Sequence, residues 1–182
     1  LEIMEKKDIY NILNKGERVT LECKKAENSV PKSFWETYSA FANTNGGTVL
    51  LGVSEDMMEK DKAKRYEVTG VNDADKICKD LWNTINSNEK VNINLLHNDD
   101  VQVANVDGKD IIVINVPRAD YSTRPVYINN NLTRGSFKRN HEGDYHCTEQ
   151  ELRMMVRDAN EAGNDRMFLE DYTMDDIDIP TL

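Results

Sequence analysis

Three cysteines, Cys23, Cys78 and Cys147, are all that this 182-residue chain carries. Their wide spacing and odd number exclude a disulfide framework and point to a reducing, cytoplasmic setting. No stretch approaches the roughly 20 apolar residues of a membrane-spanning helix. The opening Leu1-Glu2-Ile3-Met4-Glu5-Lys6-Lys7 is too polar for a secretory signal core, so no membrane partner is expected. A phosphate loop is missing too: Asn45-Gly46-Gly47-Thr48 has neither the second glycine spacing nor the lysine that cradles a nucleotide's phosphates. That excludes nucleotide hydrolysis. The Gly-x-Ser-x-Gly elbow is absent, as is a basic recognition helix in a helix-turn-helix pattern. His141, His146 and Cys147 are the only clustered soft ligands, short of the four that a structural zinc takes. No internal repeat is visible.

What is present fits one globular domain with its own core, since 38% of the residues are hydrophobic and 31% charged. A net charge of −10 opposes polyanion binding at first sight, because phosphates are neutralised by Lys and Arg. The distribution changes that reading. Residues 148–182 hold ten acidic residues and three arginines, whereas residues 118–139 hold Arg118, Arg124, Arg134, Lys138 and Arg139 against Asp120 alone. A basic stripe on a mildly acidic body is the expectation, and its plain alternative is a solvated strand surface.

Hydrophobic spacing orders the elements. Ile9, Ile12 and Leu13 mark a helix over residues 6–15 that Gly16 stops. Residues 18–24 alternate, with Val19, Leu21 and Cys23 on one side and Thr20, Glu22 and Lys24 on the other, as in a half-buried strand. Pro31 suits the first turn of a helix whose Phe34, Trp35, Tyr38, Phe41 and Ala42 recur at three- and four-residue steps, and Asn45-Gly46-Gly47 ends it. Residues 48–53 are apolar on both faces, the mark of a central strand covered on both sides. A charged loop over 55–65 and a strand over 66–71 precede Asp73, an N-cap for a helix carrying Ile77, Leu81, Trp82 and Ile85. Strands are expected over 91–96, 101–106 and 109–116, the last two joined by an Asp107-Gly108 hairpin. Shorter strands follow over 126–128 and 132–138. Thr148 with Glu151 then forms a capping box for a helix over 149–159.

Three segments in this order carry a resemblance: Glu17-Arg18-Val19-Thr20-Leu21-Glu22-Cys23-Lys24-Lys25-Ala26, the run over 34–55 through Ala40-Phe41-Ala42-Asn43 and Gly46-Gly47, and Thr133-Arg134-Gly135-Ser136. On them the chain resembles the Schlafen AlbA-like DNA-binding domain family over roughly residues 10–160. The resemblance implies an α+β fold with a central mixed sheet flanked by two or three helices. It divides the chain into an N-terminal helix (1–15), the domain (16–162) and an acidic tail or linker (163–182) leading, as in relatives, towards a further module.

It also implies nucleic-acid binding, DNA first, within a bacterial transcriptional regulator or helicase-related protein, with no cofactor. Lys24, Lys25, Arg134, Lys138 and Arg139 are the candidate phosphate ligands. Tyr121, Tyr127 and Phe137 either stack on unpaired bases or pack on strand faces. The alternative is a metal-dependent endoribonuclease, because some eukaryotic Schlafen relatives cleave RNA with an acidic trio. The matching positions here are Glu17, Glu22 and Glu55, with Asp56 as another third member, holding Mg or Mn while Lys24 assists. Glu22 and Lys24 are two apart on a strand and so share a face, which suits metal-assisted chemistry and equally a surface charge pair. Glu17 and Glu22 are an odd number apart, so they converge only across a turn or bulge. A third reading is a protein-interaction adaptor, in which the acidic tail docks a partner or the domain forms a homo-oligomer.

Overall fold

Val49, Leu50 and Leu51 are consecutive and fully buried, which a strand allows only where its sheet is covered on both faces. The computed structural model, which describes residues 4–15 and 19–162, shows how. The elements run α1 (Lys6–Lys15), β1 (Leu21–Lys24), α2 (Ser33–Asn43), β2 (Gly47–Leu51), β3 (Val53–Glu55), α3 (Lys62–Arg65), β4 (Tyr66–Val68), α4 (Ala74–Ile85), β5 (Val101–Val106), β6 (Lys109–Val116), β7 (Phe137–Asn140), β8 (Gly143–His146) and α5 (Glu149–Glu161). The central sheet has the order β1-β2-β6-β5. β1 lies parallel to β2, and the other pairs are antiparallel. This is the expected α+β class with a mixed sheet, and β3–β4 and β7–β8 form two smaller sheets.

One face of the sheet is closed by α2 and α4. Phe34, Tyr38, Phe41, Ile77, Leu81 and Ile85 pack there with Val49, Leu51, Ile112 and Ile114. The other face is closed by α1, whose Ile9 and Leu13 meet Leu21, Leu50, Val53, Ile111 and Val113. The alternation of β6 between these two clusters is the period-2 rule at work. α5 anchors through Leu152 to Tyr127, Leu132 and Cys147. Among the described residues no helix is long and apolar enough to cross a membrane.

Both predicted caps form: Asp73 accepts from the backbone N–H of Lys76, and Thr148 and Glu151 make the reciprocal capping box. The glycines of the two motifs serve close approach. Gly46 has φ +72°, and a side chain there would stand 2.8 Å from the carbonyl oxygen of Val116. A Cβ on Gly135 would overlap the carbonyl of Ile128.

Several local expectations change. Residues 91–96 alternate but form no regular strand, for only Val91 bridges to Ile128. Their backbone is tied instead by the Tyr38 hydroxyl, which donates to the carbonyl of Ile93 and accepts from the N–H of Leu95, both at 2.8 Å. Residues 126–128 and 132–138 meet through one bridge, Tyr127 to Ser136, and the regular strand starts only at Phe137 and returns through β8. The segment over 55–65 contains the short α3, capped by Asp61. The acidic stretch over 163–182 lies outside the described residues.

Candidate nucleic-acid interface

The asparagine that ends the Ala-Phe-Ala-Asn run belongs to a buried polar clamp. Ser39 and Asn43, one helical turn apart, face the chain over 126–137. The Asn43 amide donates to the carbonyls of Val126 and Phe137, both at 2.9 Å, and accepts from the N–H of Val126 at 2.8 Å. The Ser39 hydroxyl donates to Val126 at 2.6 Å and accepts from the N–H of Phe137 at 3.0 Å. Buried backbone polar groups need such partners. Thr44 extends the clamp by accepting from the N–H of Arg139 at 2.9 Å. Residues that form the start of β7 are thus fixed to the end of α2.

The clamp aims Arg139 across the sheet edge. Its Nη1 meets Glu22 Oε2 at 3.0 Å and Asp144 Oδ1 at 2.9 Å. Its Nε and Nη2 donate to the carbonyls of Val19 and Leu21, each at 3.1 Å, and its plane lies 5.0 Å from the Phe41 ring centre. Asp144 is held from the other side by the Thr37 hydroxyl at 2.6 Å. Lys24 stands 3.7 Å from Glu22 and donates to the Ser33 hydroxyl at 3.1 Å. Two cations and two carboxylates therefore neutralise one another beside β1. No sequence signal marked Asp144, because it faces Arg139 only across the β7–β8 hairpin.

Glu22 and Lys24 share a face, as the spacing required. Glu55 lies opposite Tyr66 in β3–β4 and, two residues on, shares a strand face with Val53, which packs in the α1-side cluster with Cys23. Burial pushes the Cys23 thiol up, and the charges of Glu55 and Glu22 add to that shift. Asp56 is exposed and accepts from the N–H of Met58. Glu17 lies outside the described residues. Among the described residues no three His, Cys, Asp or Glu side chains stand close enough to hold a metal ion, and Glu22 already faces two cations.

The remaining candidate cations differ in exposure. Lys138 pairs with Glu151 at 2.8 Å in a half-buried contact, while Lys25, Arg118 and Arg134 are exposed. Burial alone would raise the Glu151 pKa, but hydrogen bonds from Lys138 and from Thr148 outweigh it and hold the carboxyl below its ordinary value. A depressed carboxyl stabilises the fold above the ordinary carboxylate range and loses that contribution as pH falls through its lowered pKa. Glu151→Gln is therefore expected to cost less than about 1 kcal/mol at neutral pH. Urea titrations should show that cost disappearing in acid.

Of the three candidate stacking rings, Phe137 is in the main core and Tyr127 in the α5 cluster. Tyr121 is 53% exposed. It sits on a 3-10 turn over Tyr121–Thr123, with the guanidinium carbon of Arg124 at 4.7 Å and that of Arg118 at 5.7 Å from its ring centre. The sequence carries the signal, two arginines each three residues from a tyrosine, and both lie outside the set of candidate phosphate ligands.

The family model described as Schlafen, AlbA_2 matches residues 17–148. Among solved structures, the chain is similar to the N-terminal domain of a Nitrosomonas europaea protein described as ATP-dependent DNA helicase RecG-related. The two share 31% identity and a TM-score of 0.55 over 80% of this chain and 95% of that one. The DIP2311 protein of Corynebacterium diphtheriae aligns at 17% identity and a TM-score of 0.49, over 76% of this chain and 24% of that one, too distant to bear on function. No curated protein matches. With the family model matching residues 17–148, well over half of its length, the chain belongs to the Schlafen AlbA_2 family.

Proposed function

We propose that this domain binds nucleic acid, DNA first, as the substrate-contacting module of a bacterial transcriptional regulator or helicase-related protein. The likeness to the helicase-related N-terminal domain, 31% identical over 95% of its length, carries the reading. A small domain without a nucleotide-binding loop contributes substrate contact to such a protein rather than the motor. Lys25 and Arg134 are exposed cations of the kind that contact phosphate oxygens. Lys24 and Lys138 contribute by exchanging a carboxylate for a phosphate, which costs little for Lys138 because half-exposed ion pairs are weak. Arg139 acts from behind, holding β1 and β7 in place.

Fluorescence anisotropy at low salt tests this. The double variant Lys25→Ala, Arg134→Ala is expected to bind about tenfold or more weakly across sequences, and to reduce the slope of log affinity against log salt by about 2. Its unfolding free energy should stay within about 1 kcal/mol of the parent. Unchanged affinity and slope would remove these residues from the interface. Cleavage of structured RNA with Mg²⁺ or Mn²⁺, abolished by Glu22→Ala, would replace the binding reading with the nuclease one.

A further inference from the structure

Arg118, Tyr121 and Arg124 form a cluster that the phosphate contacts above leave unused. Arg124 is 8% exposed, and its Nε donates to the carbonyl of Ala119 at 3.0 Å, so its guanidinium is a fixed plane against the tyrosine ring. The segment is itself fixed, since the N–H of Ala119 donates to the carbonyl of Ala42 at the end of α2. Arg118 is exposed, and among the described residues no carboxylate pairs with it. The one acid in the segment, Asp120, accepts from the Ser122 hydroxyl at 2.8 Å. Burial lowers the Arg124 pKa, and the nearby charge of Arg118 lowers it further, with Tyr121, Asp120 and Asp158 opposing. An exposed cation, Arg118, beside an exposed aromatic ring favours a ligand that supplies an anion and a π-face together.

We propose that the Tyr121 turn receives one unstacked nucleotide of a single strand. The base lies on the exposed part of the Tyr121 ring, Arg118 takes the adjoining phosphate, and Arg124 fixes the ring from within. Duplex DNA hides its base faces, so this site selects single-stranded segments. The inference rests on the nucleic-acid reading above and names the form of its ligand.

Anisotropy with labelled oligothymidylate, an abasic strand of equal length and a matched duplex tests it on the full chain. Tyr121→Ala is expected to weaken oligothymidylate binding about tenfold or more, leaving the abasic strand and the duplex unchanged. Tyr121→Phe should retain binding, because the stacking face is kept. Arg118→Ala should weaken oligothymidylate and the abasic strand alike. Circular dichroism melting should be the same for all variants. If the parent binds duplex, and Tyr121→Ala binds oligothymidylate as tightly as the parent, the stacking site is overturned while the nucleic-acid reading stands. If the parent binds none of the three probes, the reading and the site are overturned together.

Discussion

Arg139→Ala is expected to lower the unfolding free energy by about 3–5 kcal/mol, the cost of removing one partner from a buried ion pair. Three losses combine. Glu22 and Asp144 share the Nη1 of Arg139, so the variant leaves two carboxylates near each other without the charge between them. The carbonyls of Val19 and Leu21 lose their donors. They lie on the free edge of β1, because the alternate carbonyls of Thr20 and Lys24 already accept from Thr48 and Gly52 of the neighbouring chain segment. The Phe41 ring loses the guanidinium 5.0 Å from its centre. Against a typical domain stability of about 5–15 kcal/mol, urea titration should show a large fall in midpoint. Arg139→Lys should recover only part of it, since one ammonium cannot serve both carboxylates and both carbonyls. A variant as stable as the parent would mean that Arg139 is not the anchor of the β1 edge.

Asn43→Ala is expected to cost about as much, roughly 3–5 kcal/mol, because each buried group left without a partner costs about 1–3 kcal/mol. Asn43 is 6% exposed. Its removal strips the N–H of Val126 and the carbonyl of Phe137 of their contacts, and leaves Val126's carbonyl with Ser39 alone. Asn43→Asp distinguishes hydrogen bonding from packing. It keeps the volume but has no donor for the two carbonyls, so it should be no more stable than the alanine variant. If the aspartate variant folded like the parent, the clamp would be a matter of shape alone.

Where one rule governed a segment, the sequence and the structure agree. The all-apolar β2 is central and covered on both faces, Asp107-Gly108 joins β5 to β6, and the Asp73 and Thr148 caps form. The β7–β8 hairpin was harder to read because its inward positions include Arg139 and Asp144. Charged residues on the buried side erase the period-2 signal. The turn also passes through His141 at φ +54°, a conformation usually marked by glycine or asparagine. The same cause hid part of the site. Glu22 and Lys24 share a face by spacing alone, whereas the burial of Arg139 follows from contacts more than a hundred residues away in the chain, with Val19 and Leu21. Residues 118–139 therefore divide into inward anchors, Arg124 and Arg139, and outward cations, Arg118 and Arg134.

A salt series of anisotropy titrations on the full chain, with single- and double-stranded DNA and with RNA, tests the central claim most directly. Binding at low ionic strength, with log affinity falling linearly as log salt rises, is the predicted result. Absence of affinity for every one of these nucleic acids at low salt would contradict it.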